Sequence, residues 1–222
     1  MRRRSHCLTK SPATNRCPNV NGAINRSGAD LLNLRATVLA EGRRTQGNLT
    51  SMNALVRLEQ SNDAAAIDYV LRSVFPTDQE ARLVERLRKH QRLRLALVAE
   101  IDGVIAGHIA FSAVKIAGSM TNATGVGLAP LAIVPELQGR GLGVQLVREG
   151  LCACERLGFG FVVVLGAPEY YRRFGFKNAN LFNLENEYGA GEAFMALELK
   201  SGSITPGLVR YAPEFSELAS ES

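Results

Sequence analysis

Between Leu131 and Gly143 the chain reads LAIVPELQGRGLG, an apolar β-prone run closed by Pro135 and followed by three glycines at alternate positions. Such a run joins a strand to a helix through a loop that carries almost no side chains. A helix start has backbone N–H groups without intrahelical partners and the positive end of the helix dipole, so it holds anions on main chain alone. Gly139, Gly141 and Gly143 let an anion come close. Two common phosphate loops do not fit. A P-loop needs Gly, four residues and then Gly-Lys-Ser/Thr, whereas five positions after Gly139 stands Val144, and no Lys-Ser or Lys-Thr pair follows. The dinucleotide fingerprint fails because the third glycine arrives one place early and the run is not part of an N-terminal βαβ unit.

The spacing Gln138-Gly139-Arg140-Gly141-Leu142-Gly143 resembles the acyl-CoA signature Gln/Arg-x-x-Gly-x-Gly/Ala of the GCN5-related N-acetyltransferases (GNAT). LAIVPE before it is similar to that family's fourth strand. YYRRFGF, Tyr170 to Phe176, is similar to its Tyr-x-x-x-Gly-Phe element, and EAFMALEL resembles the closing strand of its YhbS-like branch. The resemblance covers roughly Met52 to Phe215. It implies a single α/β (α+β) domain: a mixed, mostly antiparallel sheet with a splayed parallel pair, the fourth and fifth strands, and helices on both faces. It also implies acetyl-CoA as co-substrate, with the pantetheine arm pairing along Leu131, Ala132 and Ile133 and the pyrophosphate on the Gln138 to Gly143 loop. Tyr171 matches the family's tyrosine residue for residue and is the implied acid facing the departing sulfur; Tyr170 does not match.

The residues support the same architecture independently. Ala54 to Leu58 read as a strand, Ser61, Asn62 and Asp63 as N-cap types, and Ile67, Val70, Leu71 and Val74 as one helix face. Thr77 with Glu80 predicts a capping box for a second helix packed through Leu83, Val84 and Leu87. The resemblance implies that these two helices border the acceptor site, while Asp78, Glu80 and Glu85 read as solvated helix residues. Alternation from Leu95 to Ile101, the turn Asp102-Gly103 and resumption through Ile109, Phe111 and Ala113 predict a hairpin. His108 falls on the opposite strand face with Ala110 and Ser112; it is read either as a half-buried, satisfied histidine or as a base for an acceptor amine. The polar segment Gly118 to Gly125 reads as a connection.

Pro130 lies inside a run that otherwise reads as a central strand, which predicts a bulge. Leu142, Leu146, Val147, Leu151, Cys154 and Leu157 give the following helix one apolar face, Gly158 its C-cap, with Arg148, Glu149, Glu155 and Arg156 outside. FVVVL, Phe161 to Leu165, suits a strand buried on both faces and parallel to the previous one. A short helix from Pro168, stopped at Gly175, and a last pair of strands including Phe194 to Leu199 complete the reading; Leu181 to Gly191 carries no signal.

Charge and cysteines narrow the function. Of 26 Lys and Arg, nine lie in residues 1–51 against two of the 21 acids, so 17 basic and 19 acidic residues remain for 52–222. The pI near 9.2 belongs to the N-terminal segment and gives the domain no reason to bind nucleic acid. Residues 1–51, with one short apolar cluster, read as a basic, disordered extension to the domain at 52–222. Its Arg-rich, acid-poor composition fits a transit peptide; the plainer alternative is an upstream extension or start-site artefact without function. Cys7, Cys17, Cys152 and Cys154 form no C-x-x-C pair, and His6, His90 and His108 are far apart, so no metal is expected. Apolar runs fall well short of the ~20 residues of a membrane span, so a soluble cytoplasmic protein is expected. The function expected is transfer of an acetyl group from acetyl-CoA to a primary amine of a small molecule or peptide by direct attack. The alternatives are a non-catalytic acyl-CoA sensor of the same fold and nucleic-acid binding through the basic segment. A homodimer is left open.

Overall fold

The computed structural model describes residues 54–119 and 123–219. The expectations for residues 1–51, with Cys7, Cys17 and His6, lie outside them. Strand β1 (Ala54–Leu58) leads through a 3₁₀ turn at Ser61–Asp63 to helices α1 (Ala64–Val74) and α2 (Gln79–Lys89). Then follow β2 (Leu93–Ile101), β3 (Val104–Ile116), β4 (Gly125–Ile133) and helix α3 (Leu142–Arg156). After β5 (Phe161–Leu165) come the short helix α4 (Pro168–Arg172), strands β6 (Lys177–Asn178), β7 (Leu184–Asn186), β8 (Phe194–Glu198) and β9 (Gly207–Arg210), and helix α5 (Glu214–Ala219).

The sheet order is β1-β2-β3-β4-β5-β8-β6, with β9 paired to β3 and β7. Among the described strands only β4/β5 and β7/β9 run parallel. The two-residue turn works as the sequence predicts: Asp102 and Gly103 both take positive φ, +49° and +83°, which matches the twist of β2 and β3. Helix α3 lays Leu146, Val147 and Cys154 against Ile109, Phe111, Val126 and Val162 in the larger core, while α1 and α2 cover the other face through Ile67, Val70, Leu71 and Val84. Gly158, at φ +84°, ends α3, and the Phe159 N–H returns to the Cys154 carbonyl.

Local details depart from the sequence reading. Thr77 and Glu80 form no capping box: Thr77 Oγ1 meets only the Gln79 N–H, at 3.4 Å, and the N-cap position belongs to Asp78. Asp78 does not cap either, because its carboxylate is held by Arg72 and Arg82 at 3.3 and 2.9 Å. At α1, Asp63 turns its carboxylate back to the Gln60 N–H and to Arg57 instead of capping the helix. Arg156 is half-buried rather than outside. The C-terminal part contains four short strands, not one pair. β7 and β9 are too short to show a period and are stabilised by partners distant in sequence.

Candidate functional site: a forked strand pair and its glycine loop

β4 and β5 pair only from Gly125↔Phe161 to Leu128↔Val164. Beyond Leu128, β4 continues to Ile133 while staying bonded to β3, where His108 lies opposite Ala132 and Ile109 opposite Leu131. Between Ile109/Leu131 and Phe111/Leu128 the register slips, two steps along β3 matching three along β4. This is the bulge that Pro130 predicts: a residue without an N–H cannot fill a ladder position, so the chain accommodates it by an extra residue. β5 pairs with β8 on its other edge along its whole length and ends at Leu165, so past Leu128 the β4 edge on that side has no strand partner and the parallel pair opens into a fork.

The loop closing the fork is tied to the strand by Gln138, whose Nε2 donates to the Ile133 carbonyl at 2.9 Å. Gly139 and Gly141 take φ +73° and +87°, and a side chain added at either would meet nothing within 4 Å. Their glycine identity therefore answers to backbone conformation, and the space above them is open. Gly141 is the N-cap residue of α3, so the free N–H groups of that helix face the same space. Gly143 differs: a Cβ there would stand 2.8 Å from the Tyr170 hydroxyl.

A cleft of about 390 Å³ runs along these elements, lined by Leu131, Ile133, Gln138, Gly139, Gly141, Leu142 and Gly143 among the residues singled out from the sequence. Two of the singled-out loop and strand residues are not in its lining. Ala132 is 1% exposed and points to the opposite face, against α1, while Arg140 is exposed on the loop. Tyr171 is 8% exposed and lies in the core under the fork, edge-on to Phe176 at 5.6 Å and to Tyr170 at 5.1 Å. Burial pushes its hydroxyl up to about 12, and Tyr170 adds to that shift. Val74, read from the sequence as a helix-face residue, Tyr170, set aside as the non-matching tyrosine, and Arg173, given no role, also line the cleft. The i, i+3 spacing of Tyr170 on α4 and Arg173 at its C-cap was the available signal for two of them.

On the α1/α2 side of the sheet, His108 is fully buried rather than half-buried, with Nε2 3.1 Å from Glu59 Oε2. Glu59 also accepts from Arg88 at 2.7 Å. Burial works to raise the Glu59 carboxyl, but hydrogen bonds from His108 and Arg88 outweigh it, and the group sits below its ordinary value. An ionised carboxylate only accepts, which puts a histidine proton on Nε2; Nδ1 is buried without a hydrogen-bond partner. Among the described residues no group of three or more His, Cys, Asp or Glu is arranged to hold a metal ion, and no helix is long and apolar enough to cross a membrane.

The acetyltransferase (GNAT) domain model matches residues 92–178. YhbS of Escherichia coli K12, an uncharacterized N-acetyltransferase, is 40% identical over 166 residues, spanning 73% of this chain and 98% of that protein. The crystal structure of YhbS in complex with CoA superposes with a TM-score of 0.71 at 39% identity, over 78% of this chain and 96% of that one. A GNAT family acetyltransferase from Brucella melitensis in complex with acetyl-CoA gives 0.62 at 35% identity, over 74% and 99%. The mixed sheet with its parallel β4/β5 pair and helices on both faces is the fold this chain has in common with these acetyltransferases. The chain belongs to the GCN5-related N-acetyltransferase (GNAT) family. Its similarity to YhbS agrees with the branch that the EAFMALEL strand resembles.

Proposed function

We propose that the protein transfers an acetyl group from acetyl-CoA to a primary amine by direct nucleophilic attack. The observation that carries this reading is the fork. β4 keeps one ladder, to β3, and beyond Leu128 presents its other edge unpaired, ending at a loop whose helix start is open to an anion. A pantetheine arm lying along Leu131, Ala132 and Ile133 fits that edge, because an extended chain with amide groups can take the missing ladder position through main chain, regardless of which way the Ala132 side chain points. The diphosphate then falls over Gly139, Arg140, Gly141, Leu142 and Gly143, with Gln138 bracing the loop from below. CoA and acetyl-CoA in the two similar crystal structures support the choice of ligand.

In this mechanism a neutral amine attacks the thioester carbon at the fork, with α1 and α2 bordering the acceptor site as the family resemblance implies. Main-chain N–H groups at the bulge stabilise the oxyanion, the attached nitrogen gives its extra proton to solvent, and the tetrahedral intermediate expels the CoA thiolate. Tyr171 acts on the departing sulfur. With its hydroxyl near 12 and a thiol near 8.5, full proton transfer is uphill by roughly 5 kcal/mol, so its contribution is a hydrogen bond to the developing thiolate. The buried His108 is sealed from solvent and does not itself meet the amine.

The test is acetyl-CoA turnover over a library of small-molecule and peptide amines, read by free-thiol release. Acetylated product from one class of amine supports transfer. Tight acetyl-CoA binding without thiol release on any amine replaces it with the sensor reading.

A further inference from the structure

Val74, Tyr170 and Arg173 were given no site role from the sequence, yet all three line the cleft, and two of them are coupled. Tyr170 lies in α4 and Arg173 at its C-terminal cap, one turn apart, with the guanidinium carbon 4.8 Å above the Tyr170 ring. The same ring is wedged edge-on against Tyr171 and Phe174, at 5.1 and 5.5 Å, which fixes its direction. Its hydroxyl reaches the first turn of α3 at the point where Gly143 has no side chain; a Cβ there would sit 2.8 Å from the oxygen. Among the described residues lining the cleft, Arg173 carries the only side-chain charge, and that charge is positive. The opposite wall is the Gly139–Gly143 loop, which offers N–H groups and a helix dipole but no charge of its own at the lining.

We propose that Tyr170 and Arg173 form the second wall of the diphosphate site: the ring of Tyr170 carries and orients the Arg173 guanidinium, which neutralises the CoA diphosphate from the side opposite the glycine loop, while the Tyr170 hydroxyl donates to the same group. This rests on the acyl-CoA reading above and deepens it. A planar guanidinium suits a phosphate because it donates through two N–H groups at once, and stacking on an aromatic ring lowers the freedom lost on binding. It also gives Gly143 a purpose distinct from that of Gly139 and Gly141. Gly143 admits the tyrosine, and they shape the loop.

Calorimetry on the full chain tests this with CoA, 3′-dephospho-CoA and pantetheine as ligands, for wild type, Arg173→Gln, Arg173→Lys and Tyr170→Phe. Arg173 is exposed, so its replacement leaves the fold intact, and unchanged thermal melting without ligand verifies that. Arg173→Gln is expected to weaken CoA and 3′-dephospho-CoA alike by about 10- to 100-fold and to flatten the salt dependence of binding, with pantetheine unaffected. Arg173→Lys recovers part of the loss, and Tyr170→Phe loses several-fold. Equal CoA affinity in wild type and Arg173→Gln overturns the proposal while the acyl-CoA reading stands. Loss confined to CoA, with 3′-dephospho-CoA unchanged, overturns the diphosphate assignment in favour of the 3′-phosphate. No CoA binding by the wild type removes the acyl-CoA reading and this proposal with it.

Discussion

At Gly141 the backbone turns through φ +87° with open space where a side chain would project. Two effects of substitution are therefore separable there: backbone strain, about 1–2 kcal/mol for most residues and less for Asn or Asp, and obstruction of the anion space. Gly141→Asn and Gly141→Asp share the first effect and differ in charge. We expect both to stay folded, Asn to weaken CoA binding, and Asp to bring it below detection by calorimetry, with Gly143→Asp doing the same while also displacing Tyr170. Unchanged CoA affinity in both Asp variants would falsify the loop assignment. Tyr171 poses a separate question, because its ring is core and its hydroxyl is the proposed group. Tyr171→Phe keeps the ring, so its thermal melting should match the parent within a few degrees. Its kcat on an amine found by the library screen should fall by up to about 10²-fold, with little change in acetyl-CoA affinity. Full activity in that variant leaves Tyr171 a packing residue.

The elements that frame the cleft are joined by buried charge on one side and by apolar packing on the other. Arg57 on β1 makes a bidentate pair with Asp63, at 2.6 and 3.0 Å, and reaches Glu100 on β2 at 2.7 Å, fixing the turn that launches α1. Removing the guanidinium leaves the 5%-exposed Asp63 carboxylate without its charge partner and with the Gln60 N–H as its remaining donor, so Arg57→Leu should destabilise by about 3–5 kcal/mol in urea unfolding. The same groups predict an acid limit. The hydrogen bond from Arg57 holds Asp63 below the ordinary carboxylate value, and Glu59 is likewise lowered. Both carboxyls are depressed in the folded state, so their stabilisation is complete above their unfolded values near 4 and is lost as pH falls through the folded ones. Tm should be flat from about pH 7 to 5 and drop below about pH 4, and less steeply in Asp63→Asn. On the α3 face, Leu146 is fully buried; Leu146→Ala should cost about 2–5 kcal/mol, and a smaller loss would mean that the helix relaxes into the cavity.

As a whole, residues 54–219 build their core from their own elements, α1 and α2 on one face of the sheet and α3 on the other. We therefore expect a chain lacking residues 1–51 to remain soluble, unfold cooperatively and bind CoA with the affinity of the full chain. An insoluble product would move the domain boundary. The same pair of chains tests the basic segment: salt-dependent nucleic-acid binding by the full chain and not by the shortened one would assign it that role. What the sequence determined by itself was whatever rests on local backbone chemistry. Asp102-Gly103 specifies its turn, Pro130 forces a bulge wherever its strand is paired, the β-branched run at Phe161 to Leu165 marks a central strand, and glycines at a helix start leave room for an anion. Only the tertiary structure decided what depends on a partner far away in the chain. β7 and β9 are too short to carry a period and exist because they pair with each other and with the end of β3. His108 became a fully buried hydrogen-bonded residue because Glu59, 49 positions earlier, came to lie beside its ring. That Tyr170 lines the cleft while the Tyr171 ring packs in the core was settled by how α4 docks, since neighbouring residues on a helix point about 100° apart and only packing chooses the face.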